Sequence, residues 1–127
     1  MHVKILGAAA GGGLPQWNCA CLNCADARAG TIAVMSQSSV AVSADGVDWV
    51  VLNASPDIRD QLRLSGLHPP GRRGSPVRSV VLTNGDIDHI AGLLTLREST
   101  PFRIHATAAT LSILDQPVFR VLNPDLV

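Results

Sequence analysis

The stretch SSVAVSADGVDWVVLNAS, residues 38–55, constrains the fold more than any other part of the chain. Two β-branched runs, residues 38–43 and 47–53, flank Asp45-Gly46, a dipeptide favoured in tight hairpin turns because both central residues need positive φ. An antiparallel hairpin is the expectation. Upstream, HVKIL is a short apolar run broken by Gly7 and by the triplet Gly11, Gly12 and Gly13, which suits a buried strand emptying into a loop. Downstream, Ser55 can cap free N–H groups, Pro56 suits a first helical position, and Asp57 complements a helix dipole before Ile58 and Leu62 recur four apart. Gly66 can end that helix.

The second half alternates. RSVVLT, residues 78–83, has buried-strand length, and IAGLLTLRE places Ile90, Leu93 and Leu94 at helical spacing. FRIHAT reads as a further strand, followed by a Thr107-capped stretch with Leu111 and Leu114 on one face, stopped near Pro117. The closing NPDLV shows no evident element. Strands paired first by a hairpin and then alternating with helices imply an α/β fold, with helices packed on a mixed sheet. At 127 residues the chain is expected to form one domain, 1–127, with a cysteine loop at about 15–30.

Several functional classes are disfavoured. Aromatic residues are 3% of the chain and there is no Tyr, which argues against stacking platforms for nucleic acid. Ten basic and ten acidic side chains cancel, and the cluster Arg72, Arg73 and Arg78 falls in or beside a Pro/Gly-rich loop, so no polyanionic partner is implied. The apolar start is interrupted by Lys4 and ends at the glycines, far short of a membrane span, so a cytoplasmic protein without membrane contact is expected. Three cysteines within six residues argue against a disulfide framework and for metal or thiol chemistry.

Two clusters carry chemistry. In TNGDIDH, residues 83–89, Asp86, Asp88 and His89 follow a strand's carboxyl end, where ligands gather in open α/β sheets. Carboxylate oxygen and imidazole nitrogen together suit iron, manganese or zinc, and Gly85 permits the turn that would make them converge. A second reading fits equally: Asp86 or Asp88 caps the next helix while His89 occupies its first turn. In PQWNCACLNC, the C-x-C-x2-C spacing of Cys19, Cys21 and Cys24 lets three thiolates surround one tetrahedral zinc at about 2.3 Å, a closed structural site. The fourth ligand is open among His2, His68, His105 and a residue outside the chain. Gln16 and Asn18 could orient this loop, and Trp17 reads as a packing residue. Asn53 and Arg59 could line the acidic turn, with Arg59 gripping a carboxylate, whereas Ser55 and Asp57 are assigned to capping.

TNGDIDH aligns with the His-x-His-x-Asp-His signature of the metallo-β-lactamase superfamily. Asn84 and Asp86 stand where two histidines would be, and Asp88 and His89 match. Losing those imidazoles dismantles one subsite of a dinuclear zinc hydrolase. Together with ILGAAAGGGLPQWNCACLNC, QSSVAVSADG, LNASPDIRDQL and VVLTNGDIDHIAGLLTLRE, the pattern closely resembles the coenzyme PQQ synthesis protein B family over residues 1 to about 105. The resemblance implies the N-terminal half of a metallo-β-lactamase-like αββα sandwich, since members are roughly twice as long. It further implies pyrroloquinoline quinone (PQQ) biosynthesis, by iron-dependent hydroxylation of the tyrosine ring in a Glu-Tyr-containing precursor. Fe(II) would sit at Asp86, Asp88 and His89, and structural zinc at Cys19, Cys21 and Cys24. The same family is also described as a carrier of PQQ or its precursor, and an inactive remnant keeping only zinc is a third reading. The peptide-derived precursor or PQQ is the expected partner, with room for a homodimer.

Overall fold

The computed structural model describes residues 1–125 and 127. Strands β1 (His2–Gly7), β2 (Ser39–Ser43), β3 (Trp49–Leu52), β4 (Val77–Val81) and β5 (Arg103–His105) form one sheet in sequential order. The first three run antiparallel and the last two pairings are parallel, so the sheet is mixed, as the alternation of elements implied. Helices α1 (Leu22–Ala29), α2 (Ile58–Leu64), α3 (Ile87–Ile90) and α4 (Ala108–Ile113), with 3₁₀ turns at Ala91–Leu94 and Pro117–Val121, complete the fold.

Strand register decides which side is core. Ala41, Val51, Val80 and Ile104 stand side by side across β2 to β5, and the first three are fully buried. Ile58 of α2, Ile90 of α3, and Leu93 and Phe119 of the 3₁₀ turns pack in the same cluster. Aliphatics make up most of it, joined by three of the chain's four aromatics, Trp49, Phe102 and Phe119. On the alternate positions, Val3 and Ile5 are exposed, and Val40, Val42, Val50, Leu52 and Val81 are half-buried. One helical layer on one sheet is thus what these residues build. Among the described residues no helix is long and apolar enough to cross a membrane.

The hairpin forms, but not with the expected turn. Residues 44–48 make a longer connection in which Gly46 has φ 81° and Asp45 does not have positive φ. The Asp45 carboxylate organises it, with Oδ1 accepting from the N–H of Val47 (2.8 Å) and Asp48 (3.0 Å) and from Ser43 Oγ (3.0 Å). This is the local side-chain bonding that lets Asp replace a backbone turn.

Three other expectations need correction. The cysteine loop contains α1, whose short apolar pattern gave no periodic signal. The helix expected over IAGLLTLRE, residues 90–98, is α-helical only at Ile90, the last residue of α3, and Ala91–Leu94 is a 3₁₀ turn. Gly92 explains the change: its N–H donates to Ala54 O (2.8 Å), and a Cβ there would lie 2.1 Å from Ser55 O. Capping at α2 also differs. Ser55 Oγ accepts from Asp57 N–H (3.2 Å), but the Asp57 side chain makes no cap bond and accepts instead from Gln37 N–H (3.0 Å). The Thr107 cap is present, its hydroxyl accepting from Thr110 N–H (3.2 Å). Of NPDLV, residues 124 and 125 form a turn, and Leu126 lies outside the described residues.

Donation from the Val47 and Asp48 N–H groups, then from Ser43, holds the Asp45 carboxyl at about 2, below its ordinary 3.8. A depressed carboxylate stabilises the fold above its unfolded value and loses that contribution as pH falls through the folded one. Asp45→Asn should therefore melt at a lower temperature than the parent at neutral pH, and the gap should close between pH 3.8 and about 2. Melting curves across that range check this; a gap independent of pH would contradict it.

Candidate metal centre

Beyond β4 the chain turns through residues 83–86 into α3, and the end of β3 sets that turn. Asn53, buried and at φ 62°, donates its N–H to Val81 O (2.9 Å). Its Oδ1 accepts from Thr83 N–H (2.9 Å) and the Thr83 hydroxyl (3.1 Å). Next door, Ala54 N–H donates to His89 O (2.8 Å) while Ala54 O accepts from Gly92 N–H. The acidic turn is gripped on both sides.

On this frame one donor atom from each of Asp86, Asp88 and His89 lies within 4.8 Å of the other two. A cation with ligands at about 2.1 Å needs neighbouring donors roughly 3 Å apart, a gap small side-chain adjustments close. Asp86 occupies the N-cap position of α3, yet its carboxylate makes no cap bond; its backbone oxygen accepts from His89 N–H (2.8 Å) and Ile90 N–H (3.1 Å) instead. The capping alternative fails for Asp88 as well, since no side chain caps α3.

Asn84 decides how His89 is presented. Its Oδ1 accepts from Asp86 N–H (3.0 Å), which can only donate, so that atom is the amide oxygen. The same oxygen lies 2.5 Å from His89 Nδ1, so Nδ1 carries the proton. The Nε2 lone pair is then left free, 4.0 Å from Asp88 Oδ2. His89 and Asp88 are half-buried, at 17% and 22% side-chain exposure, which limits but does not remove solvent at the pair. Orienting a ligating imidazole through its other nitrogen is how metal sites fix the tautomer. Sequence reasoning saw Asn84 only as a missing histidine. The available signal was its place two residues before Asp86, where an Asn side chain bonds the backbone two residues on.

The cysteines form the second group. Cys19, Cys21 and Cys24 offer sulfur atoms within 4.8 Å of one another. Cys21 is the N-cap of α1, and Cys24 is buried in its first turn, where Sγ accepts from Gln16 N–H (3.4 Å). Bonding from the Cys24 N–H, then from the Cys19 thiol, pulls the Cys21 thiol below its ordinary value and favours thiolate. Arg28 of α1 straps the loop, donating to Cys19 O and Gln16 O (both 2.6 Å). Gln16 also donates to Asn18 Oδ1 (2.9 Å) on the exposed side of the loop. Trp17, expected to pack, is exposed at 87%.

None of the three candidate histidines joins the cysteines: among the described residues that group holds no fourth Cys, His, Asp or Glu. His2 lies against Trp49 (ring centroids 6.4 Å apart) at the opposite end of the sheet, where it and His68 line a cavity of about 560 Å³. His105 is exposed on β5. Arg59 is also solvent-facing, 3.9 Å from Asp60, and does not line the turn. Arg78 belongs to β4 and bonds Asp48 at 2.7 Å, so the basic cluster is divided.

Donor chemistry separates the two groups. Three sulfurs around one point suit zinc, and two carboxylates with one imidazole make a harder set that suits Fe(II) or Mn(II).

A model of the β-lactamase superfamily domain matches residues 48–125, more than half of the chain and all of the acidic turn. The chain belongs to the β-lactamase superfamily. Within this superfamily it is 62% identical over 129 aligned positions to coenzyme PQQ synthesis protein B of Ruegeria pomeroyi, covering all of this chain and 44% of that protein. The protein of that name from Rhizobium meliloti is 57% identical, with 43% of it covered. Among solved structures, Zn(2+)-bound PqqB from Methylobacterium extorquens superposes with a TM-score of 0.95 at 55% identity, over the whole of this chain and 44% of that one. A diphosphatase of the PhnP family shares the fold, with a TM-score of 0.69 and 24% identity over 88% of this chain and 43% of that one. The resemblance read from the sequence is thereby borne out, and the chain spans less than half the length of these relatives.

Asn84→Ala should weaken Fe(II) binding about 10-fold or more by freeing the His89 ring, measured by anaerobic calorimetric titration, with zinc content unchanged. Cys21→Ser should lose most of about one zinc per chain in elemental analysis. Unchanged zinc in that variant would count against a thiolate site.

Proposed function

We propose that this chain carries the metal-binding part of a PQQ-biosynthesis protein, which hydroxylates the tyrosine ring of a Glu-Tyr-containing precursor using Fe(II) and O2. The observation that carries the reading is the convergence of Asp86, Asp88 and His89, with Asn84 leaving Nε2 of the imidazole free. The names of its relatives supply the biosynthetic setting.

When bound, Fe(II) would supply the redox activity that ring hydroxylation needs and that zinc lacks. Asp86, Asp88 and His89 would hold it, and a three-residue donor set leaves positions open for small ligands. Each oxygen atom inserted converts a ring C–H to C–OH, while the second atom of O2 leaves as water with two protons and two electrons from an added reductant. The half-buried position of Asp88 and His89 limits solvent at the reacting edge. The cysteine group has a separate task. Zinc held there would fix α1 and the loop before it, and a fourth ligand from outside this chain would close the set to substrate. The proposed division is therefore one structural and one reactive centre on residues 1–127.

The test is anaerobic loading with Fe(II), then addition of O2, ascorbate and a Glu-Tyr peptide, with products read by mass spectrometry. Gain of one or two oxygen atoms is expected, abolished in Asp88→Ala and His89→Ala. Stoichiometric PQQ binding with no change in peptide mass would contradict hydroxylation and favour a carrier.

A further inference from the structure

The glycine-rich segment after β1 returns to the acidic turn. Gly11 lies so close to Asp88 that a Cβ there would sit 3.1 Å from Oδ2 and 3.2 Å from Cγ. Among the described residues no donor bonds the Asp88 carboxylate, and His89 Nε2 lies 4.0 Å from its Oδ2. The Gly11 backbone therefore borders the space this carboxylate occupies, with no room between them for a side chain.

What holds Gly11 in place is Gln37. Its Nε2 donates to Gly11 O at 2.5 Å, and an isolated parallel bridge pairs Ala9 with Gln37. Gln37 is itself fixed at both backbone groups: its N–H donates to Asp57 Oδ2 (3.0 Å) and its C=O accepts from Gln61 Nε2 (2.6 Å). Gln61 is in turn tied to Ser36 Oγ (2.9 Å) and Ser55 Oγ (3.1 Å). A polar web thus runs from the start of α2, through residues 36 and 37, to the glycine segment.

The far end of the Gln37 amide is anomalous. Its Oε1 is buried without a hydrogen-bond partner. Flipping the amide would place this oxygen against Gly11 O and strand the NH2 group, so Gly11 dictates the orientation. Buried unpaired acceptors are rare because they cost stability. Here that cost accompanies the grip on Gly11.

The geometry points to Gln37 as a positioning residue for the metal centre: by holding Gly11 beside Asp88, it bounds the space of that carboxylate and presets it for a divalent cation. The inference rests on reading Asp86, Asp88 and His89 as metal ligands. Gln37 touches neither metal nor substrate; it acts through Gly11.

The test uses the full chain with zinc first loaded on the cysteines, then titrated with Co(II) and followed by its visible absorption, for the parent, Gln37→Met, Gly11→Ala, Asp88→Ala and His89→Ala. Gln37→Met keeps the side chain's length and removes both the donor and the orphaned oxygen. It should bind Co(II) about 10-fold more weakly, as loss of a ligand's supporting partner does. Its visible bands should change, and the cobalt-free protein should melt no lower than the parent. Gly11→Ala should weaken binding in the same direction through its contact with Asp88. Parental affinity and spectrum in both variants would overturn the role of Gln37, as would weaker binding accompanied by a matching fall in melting temperature. Parental affinity in Asp88→Ala and His89→Ala would instead overturn the metal reading beneath it.

Discussion

The candidate site depends on two residues at the end of β3, Asn53 and Ala54. Ala54 donates to His89 O and accepts from Gly92 N–H, while Asn53 beside it bonds Val81 and Thr83, so the end of β3 holds both sides of the loop that leaves β4. Backbone hydrogen bonds of this kind set positions that flexible acidic side chains could not set for themselves. They require Gly92, because a side chain there would collide with Ser55 O. The helix over residues 87–94 is short and changes to 3₁₀ for the same reason. A feature that weakens the helix is what docks it.

Around that frame the chain keeps its candidate metal donors in two groups of different softness. The thiols are confined to residues 19–24, in a loop strapped by Arg28; carboxylates and an imidazole meet in residues 86–89. The two sets differ in the metal they favour, so the two candidate sites would not compete for one ion. Asn84 links the replaced histidine position to the retained one. In place of a direct ligand it supplies an oxygen that orients His89.

Much of this was legible in the residues. Alternation and turn chemistry placed all five strands, because branched runs bounded by Gly and Asp are strong local signals, and spacing picked out both donor groups. What escaped the sequence depended on distant contacts. The shortening of the IAGLLTLRE helix arises from Ala54, and the role of Asp57 from Gln37, partners that local periodicity does not encode. Helix α1 was hidden because its apolar pattern is weak and its start is a cysteine rather than a capping residue. The tight turn at Asp45-Gly46 gave way to a wider one, since a carboxylate with three donors offers an alternative to positive φ at Asp45.

The central claim is that the turn after β4 gathers two carboxylates and one imidazole around a single ion. X-ray absorption at the iron edge, on the chain loaded with zinc and then Fe(II), tests it most directly. The account predicts an oxygen and nitrogen shell at about 2.1 Å, with outer scattering from one imidazole and no sulfur. A sulfur shell at about 2.3 Å would place iron on the cysteines, and a water-only shell would leave the turn without a metal; either would contradict the claim.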